Sequence, residues 1–192
     1  MKKIVILFLF LSVVSGLFAQ QKLDWSMALV KENIDIPFSK PVEMKDGERF
    51  SIIIRNDQEC YAYIILVDSE KQMMVLLDRR LKADEQWQTS PMKLTPPSGT
   101  ETFYVVMSLL EQKDLKKAID VFNKENNTRT VRNLNTAVMD VRREASRFKE
   151  NPEKPLNLGG SSRGIESNIM EFSGGTEFSG AEVYVKTIVI NH

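Results

Sequence analysis

Residues 61–67 constrain the fold more than any other stretch of the chain. Tyr61, Tyr63, Ile65 and Val67 alternate with Ala62, Ile64 and Leu66. An extended segment with this sequence shows apolar side chains on both faces. A strand of that kind must be covered from two sides, so it is predicted to be central. Its flanks are strand-like too. Phe50, Ile52 and Ile54 fall on one face of an extended segment, and Ser51, Ile53 and Arg55 on the other. After the turn residues Asp68-Ser69-Glu70-Lys71, Met73 to Leu77 reads as a hairpin partner. Phe103, Val105, Met107 and Leu109 mark a further strand after the turn Pro96-Pro97-Ser98-Gly99. Trp25, Met27 and Leu29 suggest a first strand, Asp46-Gly47 a turn, and Pro91 to Leu94 a short edge strand.

Beyond Leu110 the period changes. Leu115, Ala118, Ile119 and Phe122 repeat at helical spacing, with Asp114 placed as N-cap and Asn126-Asn127 as terminator. In a second helix, Leu134, Val138, Val141, Ala145 and Phe148 form a stripe about 80° wide at 100° per residue. That stripe is expected to pack on the protein's own sheet, with Arg132, Arg142, Arg143 and Arg147 largely outside it. Pro152 and Pro155 forbid continuation. Residues 151–181, rich in Gly, Ser, Asn and Pro, read as a long loop. Residues 182–190 return to alternation and read as a closing strand that pairs with a strand far away in sequence.

The predicted fold is therefore mainly β with two helices, α+β: an antiparallel β-sandwich with a helical insertion before the last strand. Its parts are a β core over 28–110, two helices over 114–149, the loop over 151–181 and the closing strand. They form a single domain over 20–192.

The first nineteen residues set the compartment. Met1-Lys2-Lys3 is a positive start, Ile4 to Val14 is almost unbroken apolar sequence, and Ser15-Gly16-Leu17-Phe18-Ala19 ends on a small residue. This is the layout of a secretory signal peptide cleaved after Ala19. The apolar run is short of the roughly 20 residues a spanning helix needs, and no second such run follows. No cysteine stands at the cleavage region to accept a lipid. The expectation is an exported protein, periplasmic or extracellular, not a lipoprotein, with no transmembrane segment after cleavage.

Composition narrows the chemistry. The chain balances 26 Lys and Arg against 26 Asp and Glu, and loss of Lys2 and Lys3 with the leader leaves a small net negative charge. No basic footprint points to nucleic acid. Cys60 is the sole cysteine, so no disulfide forms within the chain, and its strand-like setting reads as a buried apolar position. The sole histidine is His192, at the end of the chain, where mobility is the usual expectation. Cys–His and Ser–His nucleophilic chemistry are therefore disfavoured, as is a zinc site built from His and Cys. No cofactor is expected. Gly159-Gly160-Ser161-Ser162-Arg163-Gly164 lacks the Lys-Ser/Thr ending of a phosphate loop. Adjacent carboxylates such as Asp84 and Glu85 sit in a charged, solvated stretch.

Four stretches carry a resemblance. Asp46-Gly47-Glu48-Arg49-Phe50, Cys60 through Asp68, Met73-Met74-Val75-Leu76-Leu77 and Pro97 through Val106 follow one another as in a bacterial family, domain of unknown function 4384. The chain resembles that family over about residues 28–110, departing from it at Cys60 and Asp78. The resemblance implies an exported β-sandwich module attached to varied partners, and no reaction.

The contact residues singled out are Trp87, Arg79 and Arg80, in the stretch 78–90. An aromatic beside basic and amide groups suits a glycan or a peptide; the competing reading folds Trp87 back over the sheet edge. The functional expectation is a non-enzymatic cell-envelope module binding an envelope protein or glycan through loops 78–90 and 151–181. The alternatives are a carboxylate-dependent envelope hydrolase and a structural subunit of an envelope assembly. The oligomeric state is open.

Overall fold

A computed structural model describes residues 22–148, 153–157, 174–180 and 182–192. The leader and the segment around Gly159–Gly164 lie outside these. Twelve strands and two helices are present among the described residues. The strands are β1 (Leu23–Lys31), β2 (Ile34–Ile36), β3 (Val42–Glu43), β4 (Arg49–Asn56), β5 (Cys60–Val67) and β6 (Met73–Leu81). They continue with β7 (Gln86–Gln88), β8 (Met92–Lys93), β9 (Thr100–Ser108), β10 (Glu153–Asn157), β11 (Gly174–Gly180) and β12 (Val183–Asn191). The helices, α1 (Lys113–Glu125) and α2 (Thr128–Ala145), stand between β9 and β10.

Two sheets form. The first runs β10-β11-β1-β4-β7, with β2 also on β1 and β8 also on β4. The second runs β3-β12-β9-β5-β6. All pairings are antiparallel except β3 with β12, which is parallel and couples Val42 to Ile190.

The period of 2 explains how the sheets face one another. Leu23, Trp25, Met27 and Leu29 from β1, and Phe50, Ile52 and Ile54 from β4, share one buried cluster with Cys60, Ala62 and Ile64 of β5. Phe103, Val105 and Met107 of β9, with Tyr184, Ile188 and Ile190 of β12, complete it. The mainly β fold with two helices and two packed sheets is the architecture expected from the sequence.

The other face of the second sheet is apolar as well. Tyr63 and Ile65 of β5, Val106 of β9 and Val183 of β12 pack with Leu115, Ile119 and Phe122 of α1 and Leu134, Val138, Val141 and Ala145 of α2. The second sheet is thus the middle of three layers, with α1 toward β6 and α2 over β12.

Local signals fix the helix ends. Asn126 takes a left-handed conformation (φ 38°) and its N–H bonds Phe122 O at 2.9 Å, ending α1. Asn127 then caps α2. Its Oδ1 accepts the N–H groups of Arg129 and Thr130 at 3.0 Å each, and Thr130 Oγ1 accepts the Asn127 N–H at 2.9 Å. Among the described residues no helix is long and apolar enough to cross a membrane.

Four expectations need correction. The helices precede the last three strands, not the last alone. Two strands, β10 and β11, lie within 151–181, which composition reads as loop. The stretch 78–90 is largely strand, the end of β6 and β7 around a short turn. Asp114 is in the first turn of α1; the N-cap is Gln112, without a side-chain cap, and its backbone N–H donates to the Tyr63 hydroxyl at 3.3 Å. A tertiary hydrogen bond to the sheet does there what a local cap would otherwise do.

If β5 is buried on both faces, Ile64→Ala, facing the first sheet, and Ile65→Ala, facing the helices, should each cost about 2–5 kcal/mol. Urea denaturation of the two variants measures this. A cost for Ile65→Ala of a few tenths of a kcal/mol would mean that the helices do not pack on the sheet as described.

Candidate functional site

The three residues singled out from sequence do not share one surface. In β6, Arg79 stands opposite Ala62 and Arg80 opposite Tyr61. Ala62 belongs to the core between the sheets, and Tyr61 to the helix side. Successive side chains in a strand point oppositely, so the two arginines diverge. Arg79 pairs with Glu85. Arg80 pairs with Glu59 at 2.7 Å and lies 5.8 Å from the centre of the Tyr61 ring. Trp87 is in β7 opposite Ile54, half-buried and packed against the core between the sheets. Arg80 borders a cavity. This polar recess of about 470 Å³ is lined by Glu59, Cys60, Tyr61 and Arg80, among others.

Cys60 is 1% exposed, and burial, with Glu85 and Glu59 nearby, pushes its thiol up to about 12. The thiolate is the reactive form, so at neutral pH this sulfur is a packing atom. That agrees with the reading of Cys60 as a buried apolar position.

His192 differs from expectation. Its side chain is fully buried at one end of the sandwich, between two carboxylates. Nδ1 lies 2.6 Å from Asp46 Oδ1 and Nε2 3.1 Å from Glu101 Oε1. Ionised carboxylates only accept, so the form of the ring that satisfies both of them is the imidazolium, in which both ring nitrogens donate. Hydrogen bonding to Asp46 is the main cause that raises its pKa, with Glu101 adding to it and burial opposing.

The surrounding contacts come from loops distant in sequence. Ser98 Oγ donates to Asp46 Oδ2 at 2.9 Å, Ser69 N–H donates to Glu101 at 3.3 Å, and His192 N–H donates to Gly99 O at 2.9 Å. Asn191 Nδ2 donates to Glu43 at 2.7 Å. Gly99 has no alternative here, because a Cβ would stand 2.7 Å from Ser69 Cβ. The serine bonds the carboxylate and not the imidazole, and both imidazole nitrogens are taken. The cluster therefore lacks the serine–base contact that nucleophilic activation requires. It acts as a clasp that joins the ends of β3, β9 and β12 and the turn after β5.

A groove of about 650 Å³ lies between α1 and α2. Helical phase orders its lining. Leu115, Ala118, Ala137 and Val141 form the floor, Asp114 and Val121 the α1 wall, Asn133 and Glu144 the α2 wall. Lys113, Lys117 and Asp140 are at the rim. At the end where α1 begins and α2 ends, Asp114, Glu144 and Glu111 all line the groove. Asp140 bonds Arg143 at 2.8 Å. Among the described residues Asp114, Glu144 and Glu111 make no ion pair. Each helix stripe is readable in sequence; the groove arises only when the two are docked side by side. Among the described residues no group of three or more His, Cys, Asp or Glu side chains is placed to hold a metal ion.

Two measurements check these assignments. The His192 pKa is raised, so the clasp's contribution to stability is complete below the ordinary imidazole value of 6.5 and is lost as pH rises through the raised value. His192→Gln should therefore lower Tm more at about pH 5.5 than at about pH 9. An equal deficit at both would contradict an imidazolium clasp. Asp46 is held below the usual carboxylate value of 3.8 by His192 and Ser98, so its share is lost only as pH falls through that lowered value. Separately, native protein should react with a maleimide far more slowly than urea-unfolded protein, since Cys60 is both buried and protonated. Similar rates would place the thiol at the surface.

No family model matches the chain, and no curated protein or solved structure matches it.

Proposed function

We propose that the protein is an exported, non-enzymatic module of the cell envelope that binds another envelope component. The observation that carries this reading is the groove between α1 and α2, an apolar floor with charged walls on the outer layer of the molecule. Ligand and partner sites are typically concave and mostly apolar, with a few polar groups that fix orientation. The leader pattern of residues 1–19 supports export to the periplasm or beyond. The resemblance of residues 28–110 to the domain of unknown function 4384 family supports the same class of role.

The hydrolase alternative would use two carboxylates across a cleft. Asp46 and Glu101 direct their oxygens at His192, and Asp114 and Glu144 are both exposed in an open groove that does not exclude water. The binding reading is therefore preferred.

The test is cross-linking in the cell from a photoreactive residue placed at Val121 in the groove, against a control at Ile34, which is 67% exposed and belongs to β2 of the first sheet. A reproducible envelope adduct from position 121, missing from position 34, is the expected result. Adducts from neither position, or the same adducts from both, would overturn a groove-centred binding role.

A further inference from the structure

We propose that the groove between α1 and α2 accepts an amphipathic helix of a partner protein, seated by apolar side chains at one end and by a lysine or arginine at the other. This rests on the binding reading above and adds the chemical class of the partner. The groove changes character along its length. Toward the α1–α2 turn its wall and floor are Val121, Ala118 and Ala137. Val121 is 36% exposed, although it is apolar. The two alanines leave room for another helix to approach closely, and close approach is what ridge-and-groove packing of helices requires. Toward the start of α1 the walls become Asp114 and Glu144.

The positions of these two carboxylates differ in their own helices. Asp114 is in the first turn of α1, where the helix dipole favours it. Glu144 is in the last turn of α2, where the dipole disfavours it. Neither has an ion-pair partner among the described residues, and a cation brought to that end of the groove would be attracted by both. Lys113 and Lys117 line the groove as well, and among the described residues neither makes an ion pair with Asp114 or Glu144.

Val121 and Asp114 are seven residues apart, about two helical turns or 10 Å along the groove. A helix that fits therefore places its basic residue about two turns from its apolar anchor. The contact is small, so binding should be weak and reversible.

The experiment uses the chain from residue 20 to 192 and a designed helical peptide of about 14 residues. The peptide carries leucine and alanine on one face and arginine two turns from the first leucine; a second peptide has glutamine in place of arginine. Binding is followed by fluorescence anisotropy. The arginine peptide should bind better than the glutamine peptide. Asp114→Asn with Glu144→Gln should weaken the arginine peptide about tenfold and leave the glutamine peptide unchanged. Val121→Arg should weaken both, with circular dichroism verifying that each variant remains folded.

Equal binding of the two peptides, no effect of the carboxylate substitutions, or no binding of either peptide would overturn the proposal. A cross-link from position 121 to a partner without such a helix would sink this inference while sustaining the binding role.

Discussion

The whole structure depends on burying both faces of one sheet. β5 and β9 each present apolar side chains to both sides, and no two-layer arrangement could cover them. The first sheet takes one face and the α1–α2 hairpin takes the other. Each layer is therefore defined by what it covers. β1 and β4 send Leu23, Trp25, Met27, Leu29, Phe50, Ile52 and Ile54 to the shared core, and Ala28 and Ile53 on their other faces are buried as well. The helices show narrow stripes because only one side of each touches the sheet. β6, at the edge, has one irregularity. Its register with β5 shifts between Ile64 and Ile65, and beyond it come Asp78, Arg79 and Arg80. Bulges and charges on an edge strand oppose pairing with another chain. Lys116 of α1 bonds Asp78 at 3.0 Å, which ties the helical layer to that edge.

The polar groups divide into two kinds. At the ends of the sandwich they are matched within the protein: His192 with Asp46 and Glu101, Arg80 with Glu59, Lys31 with Glu48 at 2.6 Å. These pairs hold loops in place. Asp114 and Glu144, which line the groove between the helices, have no such match among the described residues. Matched clusters explain how a fold without a disulfide fixes its loop ends, and unmatched ones indicate where it would meet something else.

How much of this was legible in the sequence follows from how local each cause is. β5, β9 and the α2 stripe were readable because burial on a face imposes a period within a few residues. β11 was not. Its sequence, GGTEFSG, has one large apolar residue, Phe178, and what secures it is stacking on Trp25, its register partner in β1, at 4.3 Å. β10 contains Pro155, a residue that argues against a central strand and is tolerated at the sheet edge it occupies. The clasp was illegible for a related reason. Its partners, Asp46 and Glu101, are 146 and 91 residues from His192, and no local pattern announces such a meeting. Trp87, Arg79 and Arg80 looked like a cluster because they are near in sequence, whereas strand geometry sends them to different sides.

The order of strands in the middle sheet bears on how the chain folds. β12 is inserted between β3 and β9, although two helices and two strands separate it from β9 in the sequence. Without β12, β9 has a bare edge and β3 has nothing to pair with. Completion waits for contacts of long sequence separation, which form slowly.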